Sequence, residues 1–118
     1  MTKEELKKRT KSFAIRVFKF LIEIEKNKAV DVISYQLFKS SSSVAANYRA
    51  VCRGKSDSDF LNKLKVVDEE ADESLFWLEF IQELKIDCDQ NELQKLIKEA
   101  DELTSIFSAA IRTIKSKK

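Results

Sequence analysis

The chain contains no histidine, so the commonest general base and metal ligand is missing. The nearest thing to a metal site is the acidic run Asp68, Glu69, Glu70, Asp72 and Glu73. Glu70 and Glu73 have the i, i+3 spacing of carboxylate-bridged di-iron bundles, but those bundles place a histidine in each such pair. A solvated acidic face, or ion pairs between subunits, is the simpler reading. Cys52 and Cys88 are isolated and match no ligand or disulfide spacing, so both read as reduced thiols near helix ends. Serine and lysine nucleophiles are present, but none has a recognisable base or oxyanion loop beside it. The expectation is a protein that is not an enzyme and holds no metal or cofactor.

What remains is the chemistry of charge. Residues 1–19 carry Lys3, Lys7, Lys8, Arg9, Lys11, Arg16 and Lys19 against Glu4 and Glu5. The end of the chain carries Arg112, Lys115, Lys117 and Lys118. Residues 57–92 hold twelve acids against Lys63, Lys65 and Lys85. A basic pole is a footprint for a nucleic-acid backbone. Lysines that merely solubilise the ends, or complement a helix C-terminus, are the competing reading.

These charges must be carried by helices. The sequence has no proline and a single glycine, Gly54, and those two residue types are the strongest punctuators of turns. From Lys3 to Lys26, Leu6, Thr10, Phe13, Val17, Phe20, Leu21 and Ile24 recur at helical spacing. From Lys28 to Arg53, Val30, Ile33, Leu37, Ser41, Val44, Tyr48 and Val51 do the same. Ser40 to Ser43 have the composition of a linker, but the register is unbroken across them, which favours a helix with small side chains. Gly54 suits the left-handed position after a helix end. Ser56 with Asp59, and Asp89 with Glu92, have the spacing of N-terminal caps. The third helix runs from Asp57 to Lys85 with Phe60, Leu64, Val67, Ala71, Leu75, Leu78 and Ile81 inward. The fourth carries Leu93, Leu96, Ala100, Leu103, Phe107, Ala110 and Ile114. Short connections force antiparallel neighbours, so residues 1–118 read as one all-α domain, an antiparallel up-down-up-down four-helix bundle.

Apolar residues remain beyond the four core stripes: Ala14, Ile15, Phe18 and Ile22 on the first helix, Phe76, Trp77 and Phe80 on the third. Core-facing arcs can be broad, but a surplus of this size favours an oligomer interface. Ile15, Phe18, Ile22, Phe76, Trp77 and Phe80 are the candidates. No uncharged run reaches the ~18 residues of a membrane span. The N-terminal stretch lacks the pattern of a signal peptide, so the expected location is cytoplasmic, with no membrane partner.

The segment Gln36-Leu37-Phe38-Lys39-Ser40-Ser41-Ser42-Ser43-Val44-Ala45-Ala46-Asn47, then Phe60, Leu61, Lys63 and Leu64, then Glu70, Glu73, Ser74, Trp77 and Leu78, resembles a known family. These are the bacterial four-helix-bundle proteins associated with intervening sequences in 23S ribosomal RNA genes. The stretch Ala46 to Arg53 is similar to one branch of it, with Ala50 and Val51 standing where many members carry Glu-Gly. The resemblance covers nearly the whole chain. It implies a homo-oligomeric ring, typically a pentamer. It also implies kinship with the accessory variability protein of diversity-generating retroelements, which partners a reverse transcriptase and nucleic acid.

Two functions follow as expectations. The first is a non-catalytic oligomeric accessory protein that binds RNA or DNA through Lys7, Lys8, Arg9, Lys11, Lys39, Arg49, Arg53, Lys55, Arg112 and Lys115. The second is a scaffold that holds a partner protein on its apolar and acidic faces. Asn47 is assigned a structural role, bonding a neighbouring helix backbone or Glu73.

Overall fold

The computed structural model describes residues 1–54 and 56–117; Lys55, one of the expected phosphate contacts, and Lys118 lie outside the described residues. Four helices follow in order: α1 (Lys3–Ile22), α2 (Lys28–Val51), α3 (Asp57–Glu83) and α4 (Gln90–Ser116). Each starts on a side-chain cap. Thr2, Asn27, Ser56 and Asp89 accept the backbone N–H of Glu5, Val30, Asp59 and Glu92 respectively. This satisfies one donor that the first turn cannot pair within the helix. The caps expected at Ser56 and Asp89 are therefore present.

Helices pack around a square, α1 on α2, α2 on α3, α3 on α4 and α4 back on α1. The bundle measures 47 × 22 × 20 Å. Its antiparallel sense is legible in the cross-links: Arg9 meets Glu99 and Arg16 meets Glu92, so rising numbers on α1 meet falling numbers on α4. Phe13, Val17, Leu37, Val44, Leu64, Val67, Leu78, Leu93, Leu96, Leu103 and Phe107 are buried at the centre. The expected inward stripes hold, with local shifts. Ser74 is buried and Leu75 only partly so; on α4, Ile111 replaces Ala110 and Ile114. A stripe counted in sevens drifts against the 3.6-residue turn of a straight helix, which moves the last inward position by one residue.

The serine run is helical. Ser40, Ser41 and Ser42 each donate a hydroxyl proton to the carbonyl three residues earlier, at 3.1, 3.2 and 3.1 Å. Ser40 and Ser41 are fully buried. Ser74 Oγ lies 3.0 Å from Ser40 Oγ, a hydroxyl contact across the α2–α3 seam that a larger side chain would hold apart.

Three sequence expectations change. Helices α1, α2 and α3 stop short of Lys26, Arg53 and Lys85, although Ile24 stays buried in the turn after α1. Gly54 is not in the left-handed region; the residue that is, with φ 55°, is Lys85. There the Ile86 N–H bonds the Ile81 carbonyl at 3.3 Å and the Lys85 N–H bonds the Gln82 carbonyl at 3.1 Å. This is the paired closure of a helix C-terminus that usually recruits glycine. Finally, Asn47 does not bridge helices. Its Nδ2 donates to the Ser43 carbonyl at 2.9 Å and the Ser43 hydroxyl at 2.8 Å, within α2. Four residues is about one helical turn, which brings the Ser43 carbonyl and hydroxyl within the amide's reach. Glu73 is exposed and takes no part.

Candidate functional site

Antiparallel packing brings the start of α1, the end of α2, the start of α3 and the end of α4 to one pole. Lys3 marks the meeting point, its ammonium 4.9 Å from the Phe60 ring centroid in a cleft shared with Ile114 and Lys117. Lys8 and Lys11 from α1, Arg49 and Arg53 near the end of α2, and Arg112 and Lys115 from α4 are all exposed around this pole. Acids at the same end are Glu4, Glu5, Asp57 and Asp59; of these, Glu4 pairs with Lys7 at 3.0 Å and Asp59 with Lys63 at 3.3 Å.

Four of the ten expected phosphate contacts do not join this set: Lys7 pairs with Glu4, Lys55 lies outside the described residues, and Arg9 and Lys39 lie elsewhere. Arg9 lies against α4, where Nε donates to Glu99 Oε2 at 2.7 Å and Nη2 to Oε1 at 2.6 Å, with Glu102 Oε1 at 3.6 Å. A two-pronged carboxylate pair consumes the donors a phosphate would need. Arg16 repeats the arrangement on Glu92 at 3.2 and 3.1 Å. Together they clip α1 to α4. Lys39 sits mid-way along α2, away from the pole and near Glu70.

The acidic stretch of α3 has its own electrostatics. Burial raises the Glu70 carboxyl, Glu73 adds to the rise and Lys39 opposes it. Burial also raises Asp68, against a 3.1 Å hydrogen bond from the Ser108 hydroxyl. Burial beside Cys52 pushes the Tyr48 phenol up to about 12, and its ring packs 5.8 Å from Phe107. Cys52 and Cys88 are both free and half-buried. Among the described residues, no three carboxylate or thiol groups gather to hold a metal ion, and no helix is long and apolar enough to cross a membrane.

The expected interface residues divide. Ile15, Phe18, Ile22 and Phe76 are exposed, each by about half. Trp77 and Phe80 instead pack partly against the core, with Trp77 edge-on to Phe76 at 4.9 Å and to Phe80 at 5.5 Å. Among the described residues, the Trp77 Nε1 proton is buried without a partner. Sequence reasoning missed the contribution of α2. Tyr35 and Phe38 are exposed beside α1, and the Phe38 and Phe18 rings lie 5.5 Å apart. The signal was there: 35, 38, 42, 45 and 49 follow helical spacing along the edge of the α2 core stripe. Phe38, Ser42, Ala45 and Arg49 line a groove of about 510 Å³ between α1 and α2, whose apolar floor meets Lys7, Lys11 and Arg49 at one end, and Tyr35 lines the adjoining cleft with Phe18 and Ile22.

The geometry defines a class: an all-α antiparallel four-helix bundle with a cationic pole and uncovered apolar faces on α1–α2 and α3. The chain belongs to the 23S rRNA-intervening sequence protein family, whose model matches residues 2–109. Its fold is similar to that of a solved protein of unknown function from the S23 ribosomal protein family of Bacteroides thetaiotaomicron. The two are 25% identical, with a TM-score of 0.82 over 95% of this chain and 99% of the other. Among proteins with curated descriptions, none matches the chain.

Proposed function

We propose that this is a non-catalytic cytoplasmic accessory protein that assembles with copies of itself and binds the phosphate backbone of RNA or DNA through its basic pole. The observation that carries the reading is the set Lys8, Arg49, Arg53, Arg112 and Lys115. Three helix ends bring them together, and among the described residues none forms an ion pair with a carboxylate. Cations without a protein partner are available to release counterions from a phosphate chain. The family description, with its reference to 23S rRNA, supports a nucleic-acid context.

The test is a salt titration of binding to two unrelated RNAs and one DNA. Changing Lys8, Arg53, Arg112 and Lys115 to glutamine should weaken all three about equally. It should also flatten the slope of log affinity against log salt by roughly one for each phosphate no longer neutralised. A wild-type protein that binds neither RNA nor DNA at about 50 mM salt overturns the reading. The apolar faces would then be seats for a protein partner such as a reverse transcriptase.

A further inference from the structure

Phe60 stands in the first turn of α3, at the basic pole, where its N–H bonds the Ser56 carbonyl at 2.9 Å. Its side chain is half-buried and packs on one side against the core. The Lys3 ammonium lies over the ring, in a cleft of about 400 Å³ that Asp57, Ile114 and Lys117 also line. The start of α1, the start of α3 and the end of α4 build this cleft together. Lys3, Asp57 and Lys117 are exposed, and among the described residues none of the three forms an ion pair.

We infer that the cleft seats one unpaired base of a single-stranded nucleic acid against the Phe60 ring, with Lys3 and Lys117 on the phosphates to either side. The inference rests on the phosphate binding proposed for the pole and adds to it a preference for strands with free bases.

The ring is the first ground. An ammonium above it marks a face that is reached from the cleft, and every base has a flat π-face that stacks on such a ring. A cation over a ring at an exposed site is held more weakly than a stacked base. An arriving base therefore displaces the ammonium, which frees Lys3 for the neighbouring phosphate. Asp57 is the second ground. Its carboxylate repels a phosphate laid in the cleft, so the site does not suit a bare sugar-phosphate backbone. The same carboxylate accepts an amino or imino hydrogen from the edge of a base. Size is the third ground. The space is at the lower end of what small organic ligands occupy, enough for one base and too small for a base pair within its helix. A duplex keeps its bases stacked on one another and must unpair to reach Phe60.

The test compares an oligothymidine with a deoxyribose-phosphate strand of the same length that carries no bases. Both present the same phosphates. Wild type should bind the oligothymidine about tenfold or more tightly, with the same salt slope for the two strands. Phe60→Leu keeps an apolar side chain and removes the π-face. With helicity by circular dichroism unchanged, it should bind the two strands equally and leave affinity for a DNA duplex unaltered. Phe60→Tyr should retain the preference. Should Phe60→Leu lose helicity, wild type irradiated with an oligonucleotide containing 5-iodouracil gives the answer: mass spectrometry should place the adduct on Phe60, and adducts confined to other residues overturn the inference. Equal binding of the two strands by wild type also overturns it, while leaving the phosphate reading of the pole in place. So does a folded Phe60→Leu that still prefers bases, because the stack then lies elsewhere. If wild type binds neither strand, nor any RNA or duplex, at about 50 mM salt, this inference and the proposed nucleic-acid function fall together.

Discussion

Arg9 shows how one side chain can be withdrawn from a functional role by its neighbours. Its side chain keeps 24% of its surface exposed and that of Glu99 keeps 15%, so the pair is shielded without being dry. Charge-assisted hydrogen bonds in such a setting contribute more than surface pairs do. Arg9→Ala leaves Glu99 half-covered without its main partner, and should destabilise the fold by about 2 kcal/mol. Arg16→Ala, at a more exposed pair, should cost about 1 kcal/mol or less. Urea unfolding followed by circular dichroism measures both. Asp68 tests the opposite case, an ionised group the fold disfavours. Burial holds its carboxyl above the usual range, so its contribution is favourable below the unfolded value and is lost as pH rises through the folded one. Asp68→Asn should therefore gain on wild type at pH 7, by about 0.5 kcal/mol or less, and the gain should vanish in acid where both side chains are neutral. Unfolding midpoints across that pH range decide it. A gain that grew in acid would contradict the sign.

At the scale of the helix, two turns separate what glycine offers from where the chain needs it. Lys85 holds φ 55° at the end of α3, and the closure around it is complete. A non-glycine residue there carries a steric cost, so Lys85→Gly should stabilise by about 1 kcal/mol. Gly54 does not have positive φ, and an added Cβ would sit 3.2 Å from the Val51 carbonyl oxygen. Gly54→Ala should thus give no comparable gain. Both are read by thermal unfolding. These turns explain how much is legible in the sequence. The four helices, the caps at Ser56 and Asp89 and the helical state of Ser40 to Ser43 all follow from periodicity and local hydrogen bonding, which a sequence displays directly. The left-handed turn does not, because residue preference says where such a conformation is cheap and not where the path of the chain demands it. Nor does the pairing of Arg9, whose partner lies ninety residues away on α4. The groove is half-visible: Phe18 stands out on α1, but Phe38 on α2 hides at the edge of a stripe whose centre is core.

For the whole molecule, the polar distribution of charge matters most if copies are held in parallel. A single basic pole offers a handful of phosphate contacts, and each contributes modestly at physiological salt. Copies that assemble with their bundle axes parallel would present their poles on one side. A single strand of RNA that touches one pole then finds the next at high effective concentration. Phe18 and Phe76 both lie along the bundle flanks, away from Lys8, Arg53, Arg112 and Lys115. Phe18→Asp should therefore leave the pole of each subunit intact while removing the assembly. The expected result is a loss of about 100-fold or more in affinity for a long RNA, with a shallower salt slope, because fewer phosphates are engaged together. For an oligonucleotide too short to span two poles, the loss should shrink to that of the one added negative charge. Equal loss for long and short RNAs would mean that poles act singly, and that the assembly serves some purpose other than gathering them.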